Sequence, residues 1–109
     1  MPGDVIIRTR EYPIGTLDQI PRGEGRNFEV AGKVVAVFRT HADEVFASQA
    51  ECPHLKGPLA DGMLGGTTIM CPLHDRAYDL RTGAGLAGEC GIEVYPVRTK
   101  PDGALLLTL

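Results

Sequence analysis

The sequence predicts an all-β protein, built as an antiparallel β-sandwich or barrel. Three observations favour this fold class: the apolar segments are short, turn signals recur about every 8–12 residues, and 14 Gly and 8 Pro among 109 residues leave little room for long helices. A chain of this length is predicted to form one domain, residues 1–109, that buries about two-thirds of its unfolded surface.

Strands are predicted where β-branched and aromatic residues cluster between turn residues. The predicted strands span residues 5–10, 27–31, 33–40, 45–50, 67–70, 77–80, 92–95 and 104–109. The intervening segment 11–25 carries two prolines and three glycines, so it is predicted to be a long connection with one helical turn at 16–20. The segment 34–38 is continuously apolar, which is typical of a strand buried on both faces.

The turns are predicted from the same residue types. Tight turns are expected at 31–32, 41–44 and 101–103, where Gly or Asp interrupts the apolar pattern. Pro96 lacks a backbone N–H, so the strand before it is expected at a sheet edge or a bulge.

The composition excludes several classes of function. The net charge is −3 and 23% of the residues are charged, so a basic nucleic-acid footprint is absent. No apolar run approaches the roughly 20 residues of a membrane span, and the N-terminus lacks the basic and apolar regions of a signal peptide. We therefore expect a cytoplasmic protein that binds neither nucleic acid nor membrane.

Two short motifs contain most of the potential metal ligands. Cys52-Pro53-His54 and Cys71-Pro72-Leu73-His74 hold four of the six Cys and His residues, which are ligand types that transition metals select. A structural zinc fits such a set, and so does a [2Fe–2S] cluster with thiolates on one iron and imidazoles on the other. Zinc pairs typically have two to four intervening residues. The single residue between Cys52 and His54 therefore favours the two-iron centre and leaves zinc as the alternative.

The motifs and their flanks resemble the Rieske iron–sulfur pattern. The flanks read Gly-Pro-Leu-Ala-Asp-Gly at 57–62 and Tyr-Asp-Leu-Arg-Thr-Gly at 78–83. The resemblance runs from about residue 30 to the C-terminus and is most specific over 51–83. It implies a Rieske-like β base with a small cluster-binding subdomain, about residues 50–83, formed by two loops. It also implies one [2Fe–2S] cluster per chain, with Cys52 and Cys71 on one iron and His54 and His74 on the other.

The sequence also departs from the family pattern. Rieske proteins of cytochrome bc complexes have an additional disulfide between the two loops, and here those positions are Gly57 and Leu73. Asp75 stands where the family commonly has Gly, and segment 85–91 replaces a proline-containing loop that shields the cluster. Tyr78 and the amides of 55–57 and 75–77 are candidate hydrogen-bond donors to the cluster.

The resemblance implies a one-electron carrier. The relatives it suggests are ferredoxins that pass electrons from an NAD(P)H-dependent flavoprotein reductase to a terminal oxygenase. The alternatives are the small subunit of an NADH-dependent nitrite reductase and a zinc-stabilised binding module. Many nitrite reductase small subunits lack some ligands, whereas this chain keeps all four, which favours the carrier.

The chain is not expected to be a catalyst by itself. An oxygenase adds a mononuclear iron with a 2-His-1-carboxylate triad, and only His41 remains once the four ligands are assigned. We expect His41 to be a solvated loop residue and Cys90 to be a thiol without a ligand role. Lys56 is a candidate for partner contact, and a solvated side chain is the alternative.

Overall fold

The computed structural model describes residues 10–53, 56–73, 76–86 and 90–109. Ten strands and two 3₁₀-helices form this described part of the chain, which confirms the all-β prediction. The strands are β1 Glu11–Thr16, β2 Glu24–Val30, β3 Lys33–Arg39, β4 Val45–Gln49, β5 Met63–Gly65, β6 Thr68–Met70, β7 Ala77–Asp79, β8 Val94–Tyr95, β9 Val97–Thr99 and β10 Ala104–Thr108. The 3₁₀-helices span Leu17–Gln19 and Leu59–Asp61.

The strands form three antiparallel sheets. Sheet A has the order β1-β10-β9, sheet B has the order β2-β3-β4-β8, and sheet C has the order β5-β6-β7. Within the described chain, no helix is long and apolar enough to cross a membrane.

Strand β3 supplies side chains to two separate cores. Val35 and Val37 belong to the core shared with sheet A, whereas Ala36 and Phe38 belong to the core shared with sheet C. All four are fully buried, because successive side chains of a strand point to opposite faces. The prediction of a strand buried on both faces is confirmed for these residues and is wrong for Val34, which is 46% exposed.

The two cores hold the three sheets together. One core lies between sheets A and B and contains Ile20, Val30, Val35, Val37, Ala47, Leu105 and Leu107. The other core joins sheet C to sheet B and contains Ala36, Phe38, Cys52, Leu59, Ile69, Cys71, Tyr78, Leu80 and Ile92. Both motif cysteines are therefore part of the second core.

The prediction of a long connection over residues 11–25 is wrong. Residues Glu11–Thr16 form β1, which pairs with β10 at the edge of sheet A. Pro13 is tolerated there because an edge strand has one side without ladder hydrogen bonds, and the register shifts between Pro13 and Gly15. The predicted helical turn is confirmed as the 3₁₀-helix Leu17–Gln19. The predicted strand 5–10 lies outside the described residues apart from Arg10, whose amide donates to the carbonyl of Leu109.

The predicted effect of Pro96 is confirmed. β8 ends immediately before it at the edge of sheet B, and β9 begins immediately after it in sheet A. Pro96 thus separates two short strands of one segment that belong to different sheets. Strand β5 was not predicted, because Met63–Gly65 has little β-sheet propensity and forms a strand by pairing with β6.

Candidate metal centre

Cys52 and Cys71 lie in two loops of the same construction. Cys52 follows β4, and its backbone N–H donates to the carbonyl of Gly57 at 2.8 Å. Cys71 follows β6, and its backbone N–H donates to the carbonyl of Arg76, also at 2.8 Å. Each cysteine therefore closes a loop onto the residue five positions later. The same closing bond places each cysteine at the base of its loop.

The first loop contains an additional tight turn. The Lys56 amide donates to the carbonyl of Cys52 at 2.8 Å, and Lys56 has a φ of 57°. This left-handed conformation costs roughly 1–2 kcal/mol for a residue with a side chain, and the turn hydrogen bond offsets part of it. The Lys56 amide, a candidate donor to the cluster, donates within the loop in this structure.

The two loops touch at Gly57. A Cβ atom at Gly57 would lie 2.7 Å from the Cys71 Sγ and 3.0 Å from the Leu73 Cγ. The first distance is too short for a real Cβ atom and the second would be a tight contact, so the glycine lets the loops approach this closely. Positions 57 and 73, which hold the disulfide in the cytochrome bc type, are therefore adjacent here without a covalent link. The sequence alone does not show this contact of Gly57, because the contact depends on how the two loops pack.

Both motif cysteines are shielded from solvent. Cys52 is fully buried and Cys71 is 3% exposed. The Cys52 Sγ lies 3.2 Å from the hydroxyl oxygen of Tyr78 on β7, with either atom able to donate. If Cys52 is a thiolate, the hydroxyl is the donor. The structure thus places Tyr78, a predicted hydrogen-bond donor, against the sulfur of the first motif.

Several predicted site residues lie outside the described residues. These are His54, His74, Leu55 and Asp75. In the ranges that the structure describes, no group of three or more His, Cys, Asp and Glu side chains could hold a metal ion. The structure therefore brings together the two cysteines of the predicted ligand set and does not test the two histidines.

The remaining candidates are not buried with this pair. His41 is exposed in the turn before β4, at the opposite end of that strand from Cys52. Cys90 is exposed, and none of the three cysteines forms a disulfide. Of the apolar residues in or next to the two loops, Leu59 is fully buried, whereas Leu73 is 57% exposed.

The chain matches the family model of the Rieske [2Fe-2S] domain over residues 10–96, so it belongs to the Rieske [2Fe–2S] domain family. The match confirms the resemblance from residue 30 to residue 96 and extends it towards the N-terminus, to residue 10. The ferredoxin component of the naphthalene 1,2-dioxygenase/salicylate 5-hydroxylase systems of Ralstonia sp is 36% identical over 84 residues, which cover 75% of this chain and 80% of the relative.

Solved structures agree with this assignment. The ferredoxin of carbazole 1,9a-dioxygenase from Nocardioides aromaticivorans IC177 has a TM-score of 0.79 and 32% sequence identity, over 89% of this chain and 95% of that chain. A candidate NADH-dependent nitrite reductase small subunit from Mycobacterium tuberculosis has a TM-score of 0.87 and 22% identity, over 94% and 97% of the two chains. The second likeness, at this lower identity, shows a shared fold.

Proposed function

We propose that this chain is a Rieske-type ferredoxin that carries single electrons from an NAD(P)H-dependent flavoprotein reductase to a terminal oxygenase. The observation that carries the proposal is a pair of buried cysteines in adjoining loops, in a chain 36% identical to a dioxygenase-system ferredoxin component. Such relatives are named as electron-carrying components, so the chain is an electron-transfer component and not a catalyst by itself.

The proposed ligands are Cys52, His54, Cys71 and His74. A [2Fe–2S] cluster held by two Cys and two His supplies reversible one-electron chemistry at a higher potential than a four-Cys cluster. Two features of the described residues fit this group: both thiols are buried in one core, and Gly57 leaves the space that the Cys71 sulfur occupies. The cysteines would hold one iron and the histidines the other.

The surrounding residues keep water from the sulfur atoms and hold the first cysteine. Leu59, Ile69 and Tyr78 are fully buried in the same core as both cysteines. The hydroxyl of Tyr78 donates to the Cys52 sulfur in the thiolate state, which stabilises negative charge there.

The cytoplasmic location and the single domain with a cluster-binding subdomain at 50–83 also belong to the proposal. The cytoplasm supplies the NAD(P)H that such a reductase uses. Cell fractionation tests the location.

The first experiment tests the cluster. Anaerobically purified protein reduced with dithionite should give a rhombic electron paramagnetic resonance signal, with an average g value below that of four-Cys clusters. His54→Ala and His74→Ala should lose the signal, whereas His41→Ala should keep it. Cys52→Ser and Cys71→Ser should also lose the signal, whereas their matched control, Cys90→Ser, should keep it. Colourless protein with one bound zinc would contradict the proposal.

A second experiment distinguishes the electron carrier from the nitrite reductase small subunit. That alternative shares the fold, with a TM-score of 0.87. The protein is mixed with NADH, a flavoprotein reductase of a dioxygenase system and its terminal oxygenase. Product formation that depends on this protein supports the carrier. Stable association with a nitrite reductase large subunit, together with nitrite-dependent NADH oxidation, would instead support the alternative.

A further inference from the structure

The side chain of Leu73 and the sulfur of Cys71 lie against the same face of Gly57. A Cβ atom built on Gly57 would lie 2.7 Å from the Cys71 Sγ, 3.0 Å from the Leu73 Cγ and 3.2 Å from the Leu73 Cδ1. Because these distances start from one point, the sulfur and the Leu73 Cγ are separated by at most the sum of the first two. A leucine of the second loop therefore lies against the position that a side chain at residue 57 would take.

The two residues that meet at this glycine are buried to very different degrees. Leu73 is 57% exposed, whereas Cys71, two residues earlier, is 3% exposed and packs in the second core. Pro72 between them is exposed, and Gly57 contributes backbone alone at this contact. Leu73 is thus an apolar side chain with one part against Gly57 near the sulfur and the other part in water.

Water beside this sulfur would change the redox properties of a cluster held there. The core charge of an oxidised [2Fe–2S] cluster cancels that of its two thiolates, and the reduced cluster carries one more negative charge. Water stabilises the more negative state, so exposure of the sulfur raises the potential. An apolar side chain beside the sulfur has the opposite effect, because it limits solvent access.

We propose that Leu73 is a positioning residue that closes the space over Gly57 and keeps water from the Cys71 sulfur. An apolar contact between positions 57 and 73 thereby takes the place of the disulfide of the cytochrome bc type. The effect of Leu73 on the potential rests on the proposed function. The shielding of Cys71 does not, since it concerns the thiol with or without a cluster.

The first test measures how readily a dissolved reagent reaches each cysteine. The purified protein is treated with iodoacetamide, and alkylation is followed by peptide mass mapping, with the exposed Cys90 as the internal reference. Leu73→Ala removes little buried surface, because Leu73 is more than half exposed. The ratio of alkylation at Cys71 to that at the fully buried Cys52 should rise several-fold in this variant. An unchanged ratio would overturn the shielding, including the case in which both cysteines become equally more reactive through a loosened fold.

The second test measures the potential of the cluster-loaded protein. Leu73→Ala should have a more positive midpoint potential than the parent in a redox titration, and it should release iron to a chelator about tenfold faster. Leu73→Met should stay close to the parent, because a methionine of similar volume refills the space. Potentials that are equal in Leu73→Ala and the parent, or a Leu73→Met variant as impaired as Leu73→Ala, would overturn the proposal.

Met63→Ala is the matched control for truncation of an exposed apolar side chain. Met63 is 74% exposed on β5, and its strand neighbour Leu64 packs against the second core. Successive side chains of a strand point to opposite faces, so Met63 points away from that core. The control should keep the parent's alkylation ratio and potential, and a shift equal to that of Leu73→Ala would refute a specific role of Leu73.

The two tests distinguish failure of this proposal from failure of the proposed function. A parent protein without the rhombic signal would refute the iron–sulfur centre, and the alkylation ratio would still decide whether Leu73 shields Cys71. A parent protein with the signal, together with an unchanged ratio and potential in Leu73→Ala, would refute the shielding alone.

Discussion

At the residue scale, the contact between Tyr78 and Cys52 is expected to set part of the redox potential. The hydroxyl lies 3.2 Å from the sulfur, and a hydrogen bond to sulfur stabilises the reduced, more negative state. Tyr78→Phe should lower the midpoint potential by about 20–60 mV, which corresponds to about 0.5–1.5 kcal/mol for one hydrogen bond. A redox titration with Tyr95→Phe as the control measures this, and an unchanged potential in Tyr78→Phe would refute the assigned hydrogen bond.

Gly57 supports a second prediction at this scale. Gly57→Ala would place a Cβ atom 2.7 Å from the Cys71 sulfur, so the two loops must separate. We expect lower iron content per chain and faster cluster loss on heating, measured by iron analysis and visible absorbance. Gly65→Ala is the control, since a Cβ there meets nothing within 4 Å. Equal iron retention in both variants would argue against a tight contact between the loops.

At the scale of elements, the turn after β7 is fixed to the segment before β8 by a glycine. Gly83 has a φ of +84°, and a Cβ there would lie 2.1 Å from the Ile92 carbonyl oxygen. The Ile92 amide also donates to the Gly83 carbonyl at 2.8 Å. This close backbone approach joins the end of sheet C to the strand that completes sheet B.

We predict that Gly83→Ala destabilises the protein more than Gly32→Ala does. Gly32 has a similar φ of +80° but open space around it, so both variants share the conformational penalty and differ in the steric clash. The clash should add about 1–3 kcal/mol. Thermal unfolding of the cluster-loaded variants, followed by circular dichroism, measures the difference, and equal melting temperatures would contradict the steric argument.

At the scale of the whole molecule, three carboxylates in different parts of the fold have pKa values that are lowered by an arginine. The pKa of Glu11 in sheet A is lowered first by its hydrogen bonds with Arg98. The pKa of Asp43, in the turn before β4, is lowered first by Arg22, and that of Asp79 in sheet C by the backbone amide of Arg81. The carboxylates thus bind protons more weakly in the folded than in the unfolded state. Their stabilisation is present above their ordinary pKa values and is lost as the pH falls through the lower folded values.

Asp43→Asn tests this pH dependence. Asp43 has a φ of 65°, and Asn tolerates the left-handed region comparably, so the substitution mainly removes the charge paired with Arg22 and Arg39. The variant should melt slightly lower than the parent at pH 7. The difference should shrink as the pH falls below the ordinary pKa of 3.8 and vanish below the lowered folded pKa. A difference that is constant over this range would show that the charge is not responsible.

The sequence by itself determined the fold class and the position of the proposed site. Alternating or continuous apolar segments predict β2, β3, β4 and β10. The side chains of an alternating segment suit a sheet with one buried face, and those of a continuous segment suit a sheet buried on both faces. Cys52 and Cys71 are recognisable from local spacing, because metal ligands must be of particular types at particular intervals. The break at Pro96 also follows from one residue, which has no N–H for a ladder.

Only the tertiary structure decided the features that depend on a partner segment. β1 forms despite its turn residues because β10 offers an unpaired edge, and β5 forms because β6 lies beside it. Two contacts of the site join residues that lie well apart in the chain. Gly57 contacts the Cys71 sulfur, and Tyr78 contacts the Cys52 sulfur. Local propensity and ligand spacing act within a few residues, whereas sheet pairing and loop packing depend on how the whole chain closes on itself.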